Sequence, residues 1–168
     1  KSIVLASDFL LTGDTSYITS TIIDGNQNGT VVTIKNNEGK GTELCKVVGF
    51  TITNGSGTQG YGGGFWIEDV YVTLDNLIIR DNYSTANFID QGSAIYCINW
   101  SQVIFTNLEV FNNSTFYRVI MISSHSSGYL ENINMYNNSN GQWDGVLTVD
   151  SYSTVFGKNI SIINNSDM

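Results

Sequence analysis

The 168-residue chain has no proline, a single histidine, two cysteines and only seven Lys and Arg against fifteen Asp and Glu. Each shortage excludes something. Without clustered basic residues there is nothing to neutralise phosphates, so nucleic acid is excluded as a partner. No basic patch draws the chain to an anionic membrane surface, and the longest apolar runs are too short to span a bilayer, which excludes direct membrane insertion. Cys45 and Cys97 do not make a disulfide framework, and His125 stands without the Cys/His company that a zinc site requires. Charged residues are only 13% of the chain, about half the usual share, and Asn, Ser, Thr and Gly take their place. Hydrophobic residues still reach 41% and are spread evenly, which excludes disorder and suffices for one buried core. The chain opens at Lys1, which reads as a processed protein or an excised segment, so a missing signal peptide carries no information.

What is present is a repeat. Asn76-Leu77-Ile78-Ile79-Arg80-Asp81-Asn82 recurs as Asn107-Leu108-Glu109-Val110-Phe111-Asn112-Asn113, then from Asn132 to Asn138 and from Asn159 to Asn165. An earlier copy, Gly49-Phe50-Thr51-Ile52-Thr53-Asn54-Gly55, puts Gly in the Asn slots, and Ile22-Ile23-Asp24-Gly25 is a fainter one. The copies starting at 49, 76, 107, 132 and 159 are spaced by 27, 31, 25 and 27 residues. Apolar residues alternate with period two, a strand signature. Upstream of the copies lie further strands, Phe65-Trp66-Ile67, Ile95-Tyr96-Cys97, Ile120-Met121-Ile122 and Leu147-Thr148-Val149, and short ones through Cys45/Val47, Val72/Leu74 and Val103/Phe105.

A unit this small cannot bury its apolar face alone, so neighbours must stack. At the interstrand spacing of about 4.8 Å, stacking makes three parallel sheets around a narrow core. The expected fold is therefore all-β: a right-handed, single-stranded parallel β-helix of about five to six coils with three short strands each. One domain spans residues 1–168, with 1–29 as leading strand and first partial coil and 30–166 as regular coils. No capping helix is readable at either end. Corners between sheets call for residues that tolerate left-handed backbone angles, as Asn, Asp and Gly do. Two asparagine ladders follow: Asn76, Asn107, Asn132 and Asn159 in one column, and Asn82, Asn113, Asn138 and Asn165 in another, bonding up and down the stack.

Gly62-Gly63-Gly64-Phe65-Trp66-Ile67 and Gly92-Ser93-Ala94-Ile95-Tyr96-Cys97 resemble the Gly-Gly-Gly-Ile-Tyr-Cys element of secreted bacterial β-helix repeat proteins in the pectate-lyase-like superfamily. Ile22 to Gly29, followed by Val47 to Gly55, is similar to their opening coils, and a looser likeness exists to chlamydial polymorphic outer-membrane proteins. The resemblance implies export and an extracellular or cell-surface setting. It does not imply one activity, because the fold hosts lyases, hydrolases, adhesins and inert scaffolds.

No constellation of catalytic residues emerges, and no cofactor is called for. Carboxylates do not align across coils; Glu68, Asp69 and Asp75, with Glu43 near them, form the one group to weigh as a Ca²⁺ site or acid pair, against an ordinary solvated loop. His125 within Ser123-Ser124-His125-Ser126-Ser127 reads as an exposed corner residue, since a nucleophilic serine needs an oriented base that adjacency does not supply. Gly60 to Gly64 reads as a sharp turn into the coil, because it precedes a strand and no Lys follows.

The outward column Trp66, Tyr96, Met121, Thr148 and the column containing Phe111 and Tyr136 place large side chains toward solvent. That marks either an interaction surface or cover by long corner loops such as 83–91 with Phe88. Trp66, Tyr96, Trp100, Phe111, Tyr136 and Trp143 are therefore the candidates for carbohydrate or partner binding. Nine Asn-x-Ser/Thr sequons, at Asn28, Asn54, Asn82, Asn99, Asn112, Asn113, Asn137, Asn159 and Asn164, are glycosylation candidates.

Two functions compete. The first is a non-catalytic extracellular structural or interaction protein that self-associates through its coil ends as a filament or surface-layer subunit, with a glycan or surface protein as a further partner. The second is a polysaccharide-binding module or carbohydrate-active lyase or hydrolase.

Overall fold

A computed structural model gives the structure of residues 2–35, 44–57, 61–84, 92–140 and 145–167. They form a parallel β-helix. The long sheet stacks Val4–Ala6, Leu44–Val48, Tyr71–Arg80, Gln102–Phe111, Ser127–Tyr136 and Thr154–Ile163, joined by Ile22–Asp24 and Thr51–Thr53. A second sheet stacks Val32–Lys35, Phe65–Glu68, Gly92–Ile98, Arg118–Ile122 and Leu147–Val149. A third, of two-residue strands, runs from Ser56–Gly57 to Ser166–Asp167. Five stacked strands enclose four turns, and the solenoid makes about four, slightly fewer than the repeat suggested, because the end rungs are incomplete.

Two of the three strands expected per coil run together as one ten-residue strand with a bend. Val72 and Leu74 point inward, and so do Leu77 and Ile79, so the alternation slips by one residue at Asp75-Asn76. Asn76 takes φ 52° there, and Asn107, Asn132 and Asn159 repeat it at 55°, 57° and 54°. A single left-handed residue thus turns the chain through a corner while both halves keep their apolar side inward. The inward columns pack as expected: Leu77, Leu108, Ile133 and Ile160 align in register, as do Ile79, Val110, Met135 and Ile162. The core is fully buried in the middle rungs and opens to solvent toward the ends.

The two asparagine columns do different work. At the bend, exposed Asn159 donates to Asn132 Oδ1 (2.9 Å) and Asn132 to Asn107 Oδ1 (3.0 Å). Asn107 donates to Asp75 Oδ1 (3.2 Å) rather than to Asn76, because the carboxylate is the stronger acceptor and takes the Asn76 amide as well (2.7 Å). The other column is interior. Asn82 Nδ2 donates to Asn113 Oδ1 (3.0 Å), Asn113 to Asn138 (3.0 Å) and Asn138 to Asn165 (2.9 Å). Each Oδ1 also accepts the backbone N–H of the preceding member, beginning with Gly55 N–H on Asn82. Each Nδ2 reaches in addition a backbone carbonyl one coil back: Ile52, Ile79, Val110 and Met135 in turn. The left-handed angle belongs to the residue before, at Asn54, Asp81, Asn112, Asn137 and Asn164. The Asn-Asn pairs of the sequence are therefore a turn residue followed by a ladder residue.

Residues 1–29 hold more than a leading strand. Two short helices, Phe9–Thr12 and Ser16–Ser20, occupy the corner that later coils turn with one residue. Four- and five-residue helices are too short to print a helical period, which is why none was readable. Gly62-Gly63-Gly64 has a packing reason: a Cβ on Gly63 would lie 2.6 Å from Ser93 O, and one on Gly64 2.5 Å from Ala94 O.

Leu108→Ala should destabilise by about 2–5 kcal/mol in chemical denaturation, as a core truncation. Asn113→Ala should lose more than about 2 kcal/mol, since it orphans buried partners above and below at roughly 1–3 kcal/mol each. Asn132→Gly, which removes an exposed ladder amide but keeps the left-handed angle that Gly49 already shows, should change stability by less than about 1 kcal/mol.

Candidate interaction surfaces

Among the described residues no group of three or more His, Cys, Asp or Glu is placed to hold a metal ion. The carboxylates weighed for that role are divided among separate partners. Glu68 pairs with Lys35 (3.3 Å) and accepts from Asn99 (2.8 Å). Asp75 pairs with Lys46 (3.3 Å) and accepts from Asn76, Thr106 and Asn107. Asp69 is a corner residue with φ 53°. Glu43, Phe88 and Trp143 lie outside the described residues.

The aromatic candidates separate into covered and open groups. Trp66 and Tyr96 do not form an open binding face. Trp66 is half-buried, its ring stacked on Tyr61 at 3.5 Å with Lys35 Nζ over its face, and Tyr96 and Met121 of the same column are buried. Arg118 Nη1 reaches Met121 Sδ at 3.6 Å. Tyr61 on Trp66 and Arg118 on Met121 supply cover in that column, while residues 85–91 of the corner loop weighed for that role lie outside the described residues. Phe111 and Tyr136 stay half-exposed on the long sheet, stacked at 5.0 Å.

Trp100 belongs to a feature that the repeat did not announce. The corner between the second and long sheets is turned by pairs of left-handed residues: Asn99-Trp100, Ser124-His125 and Ser151-Tyr152, with φ from 49° to 63°. Bulky residues rarely adopt this conformation, and three do so in one column. Their rings stack, Trp100 on His125 at 4.3 Å and His125 on Tyr152 at 5.1 Å. The two stacks contribute about 0.5–1.5 kcal/mol each, which offsets part of the roughly 1–2 kcal/mol cost of each left-handed angle. The signal was available: an aromatic residue followed by Ser at 100, 125 and 152 keeps the repeat's own spacing. One coil earlier the turn is shorter, with Asp69 alone left-handed.

Below Trp100 is a cleft of about 100 Å³ lined by Asp69, Tyr71, Gln102 and His125 among others. Tyr71, Gln102 and Ser127 continue from it into a groove of about 400 Å³ along the outer face of the long sheet, where Leu44, Ile104, Tyr129 and Phe156 are exposed. Tyr129 Oη donates to Glu131 (3.0 Å), whose other oxygen takes Lys158 Nζ (2.6 Å). Together, Lys158 first and Tyr129 second, these hold the Glu131 carboxyl below its ordinary range.

The sequons divide in the same way. Asn82 and Asn113 are buried ladder members whose amide nitrogens are engaged. Asn54 is half-buried, and Asn28, Asn99, Asn112, Asn137, Asn159 and Asn164 are exposed.

Fold and surfaces together define a parallel β-helical solenoid with ladder-locked corners and an aromatic corner column. No protein-family model, curated protein or solved structure matches the chain.

Cys45 and Cys97 are both free thiols. Burial pushes the Cys97 thiol up to about 12, so at neutral pH it presents almost no thiolate. Thiol-labelling kinetics on the folded chain should show only half-buried Cys45 reacting, with Cys97 reacting after denaturation.

Proposed function

We propose that this β-helix is a non-catalytic structural or interaction protein, extracellular or at a cell surface, that works by associating through its coil ends. The observation that carries this reading is the exposure of core-facing residues at both ends. Ile3 and Leu5 occupy inward slots of the first rung, Val149 and Ile162 inward slots of the last, and all four are exposed. In the middle rungs the same columns are completely buried. An uncovered terminal rung also presents a row of unpaired backbone groups, which another strand satisfies. The last long strand does little to repel a partner: its one charge is Lys158, already engaged by Glu131.

The setting rests on the likeness of the glycine-rich couplets to secreted β-helix repeat proteins. The non-catalytic reading rests on Glu68 and Asp75 being held in separate pairings, on Asp69 serving as a corner residue and on His125 being committed to a ring stack.

A second reading, a module that binds neutral oligosaccharide, is favoured by the groove that joins Trp100 to Tyr129 and Phe156. Aromatic surface beside amides and hydroxyls, without lysine or arginine among the described lining residues, suits an uncharged polyol better than an acidic polysaccharide.

Light scattering and negative-stain microscopy of the purified chain separate the two. End association should give elongated particles that lengthen with salt, because each copy carries a net charge of −8 that screening relieves. Ser161→Lys, a charge on the terminal edge strand, should raise the concentration needed for assembly at least tenfold. Monomers at every concentration, with tryptophan fluorescence that shifts on adding neutral oligosaccharides, would replace the first reading by the second.

A further inference from the structure

We infer that the ends join head to tail, the Thr154–Ile163 strand of one copy pairing in parallel with Val4–Ala6 and Ile22–Asp24 of the next. This rests on the end-association reading and specifies its polarity and register. The register follows by continuing the columns. Val4 begins the column that runs through Lys46, Thr73, Ile104 and Tyr129 to Phe156. Ile23 begins the one that runs through Ile52, Ile79, Val110 and Met135 to Ile162. A copy placed one interstrand step beyond the last rung therefore sets Val4 beside Phe156, Leu5 over Gly157, Ile22 beside Ser161 and Ile23 over Ile162.

The chemistry of these pairs matches. Val4 and Phe156 are 60% and 70% exposed on the outer face, and each gains an apolar neighbour. Inside, Leu5 is 43% exposed at the head of the column Val47, Leu74, Phe105, Leu130. That column ends at Gly157, the one rung that contributes no side chain. Leu5 of the next copy supplies it. Ile23 and Ile162 likewise complete each other's column.

The Ser16–Ser20 helix packs on the outward side of Thr51–Thr53, where Thr51 Oγ1 donates to Ile18 O at 2.8 Å. Polarity follows from the cross-section: its three faces and corners differ, so only a head-to-tail neighbour lays sheet on sheet and corner on corner, whereas a two-fold pairing superposes unlike corners. A head-to-tail contact does not close on itself, and its product is a filament.

Val4 and Phe156 point outward and are not core residues, so Val4→Cys and Phe156→Cys should leave the fold intact. Adjacent parallel strands bring their Cα atoms within the 4.4–6.8 Å span of a disulfide. Under mild oxidation, mixing the two single variants should shift monomer to heterodimer on non-reducing gels. The double variant should give a ladder of multimers, with mass spectrometry assigning the bridge to positions 4 and 156 apart from Cys45 and Cys97. Hydrogen exchange on assembled wild-type protein should slow in Val4–Ala6, Ile22–Asp24 and Thr154–Ile163 and stay unchanged in Gln102–Phe111, which is paired on both sides in every copy. Homodimers within either single variant overturn the polarity. Wild-type filaments with no 4–156 bridge overturn the register while leaving end association standing. A protein that stays monomeric under all conditions overturns both.

Discussion

A buried asparagine amide has two N–H donors and an oxygen with two lone pairs, and each is expensive to leave unpaired away from water. In the interior ladder, Asn113 satisfies them all. Its oxygen takes the backbone N–H and side-chain amide of Asn82, and its nitrogen serves Asn138 and the carbonyls of Ile79 and Phe111. No other residue type offers this donor and acceptor set at this length. The ladder therefore fixes one residue of every coil at one height, and everything else in the coil is measured from it. Loops may differ in length between coils while the rungs stay level. Residues 85–91 separate Tyr83–Ser84 from the next strand of the second sheet, whereas only Phe116 and Tyr117 separate Ser114–Thr115 from Arg118–Ile122. The repeat spacing swings from 31 to 25 residues across those same coils, and the inward columns remain in register.

The aromatic corner column obeys a different balance. Its backbone angles are unfavourable for Trp100, His125 and Tyr152, and two ring stacks together with the backbone bonds from Trp100 N–H to Ser124 O and from His125 N–H to Ser151 O offset part of that cost. Tyr152, at the far end of the column with a ring neighbour on one side, remains 89% exposed. Solenoids concentrate exposure of this kind at their ends and corners because each coil contacts only the coils beside it.

Much of this architecture is legible in the sequence because a solenoid repeats its physics. The Leu77 and Ile79 columns, the bend at Asn76 and both ladders follow from aligning copies, since each coil answers the same constraint with the same residue type. The features that escaped are those present once or masked by variety. The Phe9–Thr12 and Ser16–Ser20 helices fill one corner of one coil, and no second copy exists to reveal them. The corner column changes from Trp to His to Tyr, so identity hides what aromatic class and spacing would have shown. Strand periodicity assigns Trp66, Tyr96 and Met121 an outward direction, but direction is not exposure, and Tyr96 and Met121 are buried. Whether a side chain meets water depends on neighbouring segments that strand periodicity does not describe.

The central claim is that the interior ladder, rather than the exposed one, holds the coils in register. Side-chain amide hydrogen exchange measured by NMR on the ¹⁵N-labelled chain tests it directly. The Nδ2 protons of Asn113 and Asn138 should exchange as slowly as the neighbouring core backbone amides of Val110 and Met135, while those of Asn132 and Asn159 exchange rapidly. Fast exchange at Asn113 and Asn138, with the backbone around them protected, would show that the coils stay aligned without the ladder and would contradict the account.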